Sequence, residues 1–141
     1  RKIKPTLPWW FDYHLIEPEE GIIGPDPSNP NHYKSGSTNV GEVNFQKYAS
    51  AIDKHKKFDL ILIDGVARAS YLQHAFSHVS PGGCIVLDNT NDRPYYLEQT
   101  EQFFGNYEWG WEKITMMGYG PILDYKWEST IFINKSKVDY D

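Results

Sequence analysis

The chain has 141 residues, 40% of them apolar, which suffices for one hydrophobic core and falls short of two ordinary domains. Lys and Arg number 14 against 19 Asp and Glu, a net charge of −5, and outside Arg1–Lys4 and Lys54–Lys57 the basic residues are scattered, so nothing forms the cationic stripe that binds nucleic acid. No apolar stretch approaches the roughly 18 residues of a membrane span, no signal peptide is evident, and the single cysteine, Cys84, cannot form an internal disulfide. The expectation is one cytoplasmic domain without nucleic-acid or membrane partners. Its start at Arg1 rather than methionine raises processing or truncation upstream.

In chain order, residues 9–16 (Trp-Trp-Phe-Asp-Tyr-His-Leu-Ile) are rich in aromatic and β-favouring side chains between Pro8 and Pro18, which predicts a strand. Gly21 to Gly41 is crowded with Gly, Pro, Ser and Asn and has no period; a loop of this length in a compact domain suggests a lid, an insertion or mobility. From Glu42 to about Lys54, Phe45, Tyr48, Ala49 and Ile52 recur at helical spacing, and Lys54, Lys56 and Lys57 suit the negative end of the helix dipole.

The segment that follows is the most informative. Leu60-Ile61-Leu62-Ile63 is continuously apolar, the pattern of a strand covered on both faces. After Asp64-Gly65, Leu72, Ala75, Phe76 and Val79 mark one face of a helix that stops at Ser80-Pro81-Gly82-Gly83, and Cys84-Ile85-Val86-Leu87 reads as the next buried strand. Strand, helix and strand form a βαβ unit, which requires a parallel pair and a right-handed crossover. Asp64 and Asp88, each closing one strand, therefore belong to the same edge of the sheet.

Ligands of open α/β sheets bind outside the carboxyl ends of the strands. Asp64 and Asp88, with Asn89 beside the second, make an oxygen-rich cluster suited to a hard cation such as Mg2+ or to a cofactor's amine and hydroxyls. Taken singly, each acid is also explained structurally: Asp64 starts a turn, and Asp88 caps a helix beginning near Pro94. His74 and His78, four apart on the same helix, have a spacing that binds zinc, but no third ligand is evident and a solvated face explains them.

The set FDLILIDG, SPGG and IVLDN resembles the fourth and fifth strands of class I S-adenosylmethionine-dependent methyltransferases. The resemblance runs from about Trp9 to Asn134. It makes residues 9–16 the third strand, Pro94–Phe104 the next helix, and Trp111–Gly118 with Trp127–Asn134 the antiparallel sixth and seventh strands. It implies an α/β fold with a Rossmann-like, mostly parallel sheet ending in an antiparallel hairpin, in the order 3-2-1-4-5-7-6. It also implies S-adenosylmethionine as cofactor, held here by Asp64 and Gly65, and a small-molecule substrate. In the divalent-cation-dependent O-methyltransferases of the catechol and caffeoyl-CoA kind, an Asp after the fourth strand and an Asp-Asn pair after the fifth hold metal; the matching positions are Asp64, Asp88 and Asn89.

The sequence departs from that pattern twice. The basic Lys three residues after the first Asp is replaced by Ala67, with Arg68 next, and Arg stays protonated. The Gly-rich cofactor loop and the ribose-binding acid belong before residue 9, so the first two strands are not found. The resemblance then implies an amino-terminally truncated domain, strands supplied by another chain, or loss of methyl transfer. It leaves residues 9–16 and the edge of Phe58–Ile63 without neighbours, so a second copy or an upstream segment is expected to pair with them, or the first forty residues to rearrange. The chain alone is expected to be inactive. Three functions stay open: a methyltransferase or its carboxyl-terminal part, a non-catalytic α/β association module, and a hydrolase or nucleotide-binding protein, which lacks a nucleophile elbow or P-loop.

Overall fold

The computed structural model describes residues 8–91, 110–120, 122 and 124–136. Two short strands, β1 (Glu19–Glu20) and β2 (Val43–Asn44), pair antiparallel and close the long loop between them. The loop is not free: it carries two short 3-10 turns, Pro30–His32 and Thr38–Val40, and Tyr33 sets its hydroxyl 3.3 Å from His74 Nε2. Asn44 Oδ1 then accepts the backbone N–H of Gln46 at 3.1 Å, which delays the helix expected from Glu42. It appears as one α-turn, α1 (Gln46–Ala49), tightening into a 3-10 turn at Ser50–Lys54.

The βαβ unit follows as β3 (Phe58–Ile63), α2 (Arg68–Phe76) and β4 (Val79–Leu87), with β3 and β4 parallel from Leu60↔Cys84 to Ile63↔Leu87. Strand β4 begins earlier than the Ser80–Gly83 breaker predicts. Phe58 pairs with Val79 before the register jumps to Leu60↔Cys84, so Ser80–Gly83 is looped out within the strand. Glycine is required there: Gly82 has φ +78°, and a Cβ on Gly83 would lie 2.8 Å from the Asp59 carbonyl oxygen.

A hairpin of β5 (Trp111–Tyr119) and β6 (Lys126–Asn134) completes the sheet, β6 pairing antiparallel with β4. The order is β3-β4-β6-β5. The fold is α/β, but with one parallel and two antiparallel pairings among the described strands the sheet is mostly antiparallel, which corrects the mostly parallel expectation. The helix expected over Pro94–Phe104 lies outside the described residues. No described helix is long and apolar enough to cross a membrane.

Residues 9–16 are not a strand. They have no ladder partner, Trp9 is 96% exposed, and Tyr13 and Leu15 also face water. Aromatic content favours extended chain only where a neighbouring strand supplies hydrogen bonds and a surface to pack on, and here none is within pairing register. The segment passes beside β3, which is an edge strand among the described strands.

One sheet face holds the core. Ile61 and Ile63 of β3, Ile85 and Leu87 of β4 and Phe132 of β6 pack against Leu72, Ala75 and Phe76 of α2. Trp111 extends this cluster, its ring 4.7 Å from that of Phe76. Alternation puts Leu62, Val86, Ile131 and Ile114 in one cross-strand row on the opposite face, and no described element covers that row. Leu60 and Leu62 are 60% and 63% exposed there. A continuous apolar run in sequence has thus become a strand buried on one side.

Candidate functional site

The parallel register brings the ends of β3 and β4 together, and the N–H of Asp88 donates to Ile63 O at 3.1 Å across them. Asp64 and Asp88 accordingly stand at the same, carboxyl, edge of the sheet. Both following turns have a non-glycine residue in the left-handed region, Ala67 at φ 48° and Asn89 at φ 56°. For alanine this conformation costs about 1–2 kcal/mol, and such residues cluster at functional turns.

Arg68 joins the two turns. Its Nε donates to Gly65 O at 2.8 Å, and its Nη2 lies 3.4 Å from Asp64 Oδ1. Its Nη1 donates to Asp88 O and, at 3.3 Å, to Asn89 Oδ1. The Arg68 side chain is 16% exposed and that of Asp64 59%. Asp88 directs its carboxylate elsewhere, accepting the Ser129 hydroxyl at 2.6 Å. Further along the turn, Thr90 donates its hydroxyl to Glu128 Oε1 at 2.7 Å and its N–H to Glu128 O at 2.8 Å, fastening this end of β4 to β6. Asp88 therefore holds a hydroxyl of β6, while the structure of any helix near Pro94 lies outside the described residues.

Tyr48, from α1, covers the first turn. A Cβ on Gly65 would lie 2.3 Å from its hydroxyl oxygen, so glycine is needed for this close approach. The Tyr48 ring lies against that of Tyr71 of α2, centroids 5.5 Å apart and planes tilted by 45°. Burial pushes the Tyr48 phenol above its ordinary pKa, with nearby Arg68 working against the rise and Asp64 with it; burial likewise raises Tyr71. Both rings line an open groove of about 980 Å3 that runs beside β3, with Leu60, Leu62 and the Tyr13–Ile16 segment also on its walls. Asp64 follows Ile63, the last β3 residue of the wall.

Asp64, Gly65 and Asn89 thus share one arginine, whereas the Asp88 carboxylate turns towards β6. A divalent ion in this place would need several oxygens about 2.1 Å away. The oxygens that face the cluster centre are already drawn to a guanidinium, which would repel a second cation at contact distance. In this arrangement Asp64, Asp88 and Asn89 do not fit a divalent ion. No group of three His, Cys, Asp or Glu among the described residues could hold a metal either.

Sequence reasoning gave Tyr48 only a place on a helix face and did not single out Tyr71 or Ser129. The strand register alone points to Ser129, since Leu87 pairs with Thr130 and Asp88 then falls beside Ser129. His74 and His78 are not on a solvated face: His74 Nδ1 lies 2.9 Å and His78 Nε2 3.5 Å from the two oxygens of Asp53, and both side chains are largely buried. Asp53 ties the 3-10 turn to α2 through His74 and to the residue before β4 through His78. Cys84 is half-buried within β4. Compared with family models, with curated proteins and with solved structures, the chain finds no match.

Proposed function

We propose that the chain is a class I S-adenosylmethionine-dependent methyltransferase domain, or the carboxyl-terminal part of one, acting on a small molecule. The observation that carries this reading is the strand order β3-β4-β6-β5, with the first pair parallel and the rest antiparallel. It matches the 4-5-7-6 half of the order that the sequence resemblance implies. The polar turns at the carboxyl edge and the neighbouring groove support it, the groove being within the size range of small-molecule sites.

The exposed Asp64 carboxylate is an acceptor for an amine or hydroxyl, and the Tyr48 and Tyr71 rings offer a face for a flat group. S-adenosylmethionine, when bound, supplies the electrophilic methyl group. The described residues contribute binding and orientation; none is placed as a base. The test is equilibrium dialysis of the longest product of the reading frame against radiolabelled S-adenosylmethionine. It should bind the cofactor competitively with S-adenosylhomocysteine. A product with no binding removes the reading.

A second reading, an association module, is favoured by the open edge of β3 with Leu60 and Leu62 exposed. Sedimentation of the chain and of Leu62→Lys tests it. Association that the substitution abolishes supports the module, and a monomer at all concentrations removes it.

A further inference from the structure

We infer that the Arg68 guanidinium is the resident cation of the carboxyl-edge site, occupying the position for which the Asp64…Asp88-Asn89 pattern suggests a divalent ion. Four oxygens face it: Gly65 O and Asp64 Oδ1 from the turn after β3, Asp88 O and Asn89 Oδ1 from the turn after β4. Two are main-chain carbonyls, one is an amide and one a carboxylate, the donor types that hard cations take. The charges also balance. Since the Asp88 carboxylate is engaged by Ser129, Asp64 brings the one negative charge directed at Arg68, and one guanidinium neutralises it.

Local structure gives an independent reason to read Arg68 as placed for the site. It is the first residue of α2, where a positive charge opposes the helix dipole, and no acidic residue follows in the first turn. The residue before it, Ala67, adopts the left-handed conformation and makes no side-chain cap. Two unfavourable choices at one helix start, both directed at bringing a guanidinium to four oxygens, are explained by the cross-link they create. Arg suits this work because its planar fork reaches several acceptors at once, which a lysine ammonium does not do with the same geometry. The inference is independent of methyl transfer, because it concerns only what holds the two turns together.

The experiment uses Mn2+ as a probe of the cation position, read by the loss of its free-ion electron paramagnetic resonance signal and by thermal unfolding. The wild-type chain should bind no Mn2+ at this site and unfold at the same temperature with Mn2+ or EDTA. Arg68→Ala should unfold at a lower temperature and regain part of the loss with saturating Mn2+. Its Mn2+ affinity should exceed that of the wild type by at least about tenfold. Adding Asp64→Asn to Arg68→Ala should abolish that gain. Arg68→Gln, which keeps a polar fork without charge, should respond to Mn2+ in the same way and replaces Arg68→Ala if the latter does not fold. Mn2+ binding by the wild type that Asp64→Asn removes would overturn the inference, and so would Arg68 variants that neither lose stability nor gain Mn2+ affinity.

Discussion

The closest steric constraint at the site gives a quantitative prediction for Gly65→Ala. An added Cβ meets the Tyr48 hydroxyl oxygen at 2.3 Å and the ring carbon that bears it at 3.3 Å, so the ring must retreat by roughly 1 Å to reach ordinary van der Waals contact. It cannot do so freely, because it is half-buried between Phe45, 6.5 Å away, and Tyr71, 5.5 Å away. Overpacking of this kind costs about 1–3 kcal/mol, part of it the loss of aromatic pairing worth about 0.5–1.5 kcal/mol. Gly65 has no positive φ, so alanine also removes unfolded-state freedom and returns about 0.4–1 kcal/mol. The net expectation is a loss of about 1–2 kcal/mol.

Tyr48→Phe removes the oxygen at 2.3 Å and leaves the ring carbon at 3.3 Å, a contact that small adjustments relieve. In that background Gly65→Ala should be neutral or slightly stabilising, giving a coupling of about 1–2 kcal/mol in the double-mutant cycle. Urea unfolding followed by tryptophan fluorescence and circular dichroism measures all four proteins. Equal costs of Gly65→Ala in both backgrounds would refute the packing argument. Neutrality of Gly65→Ala in the wild type would leave a bound ligand as the reason for glycine at this turn.

Leu72, fully buried between α2 and the sheet, should lose about 3 kcal/mol on substitution by alanine, read from the urea midpoint. Ala67→Val should destabilise by about 2 kcal/mol or more, since a β-branched side chain is poorly tolerated at φ 48°; Ala67→Gly should stay within about 1 kcal/mol, relief of strain offsetting the lost buried methyl. Tyr48 and Tyr71 have phenols raised above 10.0 by burial, so folding favours their neutral forms. Their contribution to stability is complete below about pH 10 and declines as the pH passes through the raised values. Ultraviolet titration should show Tyr48 and Tyr71 ionising above the ordinary phenol range, and Tyr48→Phe and Tyr71→Phe should each remove one group from that late fraction.

The elements legible in the sequence were those whose signal is local. The β3–α2–β4 unit announced itself through two apolar runs and an intervening helical period. Strands β5 and β6, expected only from the family resemblance, lie within a residue of the bounds it implies. What failed depended on distant partners. Residues 9–16 have strand composition but no strand to pair with, and β4 extends through Pro81 because Gly82 and Gly83 let the chain loop out without leaving the sheet. At the site, the common edge of Asp64 and Asp88 followed from topology. The reach of Arg68 to Asp88 and Asn89, about twenty residues on, and of Ser129 to Asp88, did not. Hydrogen bonds between turns that far apart leave no periodicity to read.

Strand β3 is open on its outer side among the described residues. Leu60–Ile63 has the continuous apolar character of an interior strand, and full burial of a leucine side chain is worth about 1.5–3 kcal/mol, most of which Leu60 and Leu62 do not gain when exposed. Among the described strands β3 also has one neighbour only, so its outer backbone groups are open to pairing. A partner that satisfied both would be an extended segment pairing along β3 with an apolar surface laid over the Leu62–Val86–Ile131–Ile114 row. A segment of the same domain in that place agrees with the methyltransferase reading, and one from another molecule with the association module. At the carboxyl edge Arg68, Ser129 and Glu128 already join the two turns and β6, and the exposed Asp64 carboxylate keeps room for a further donor.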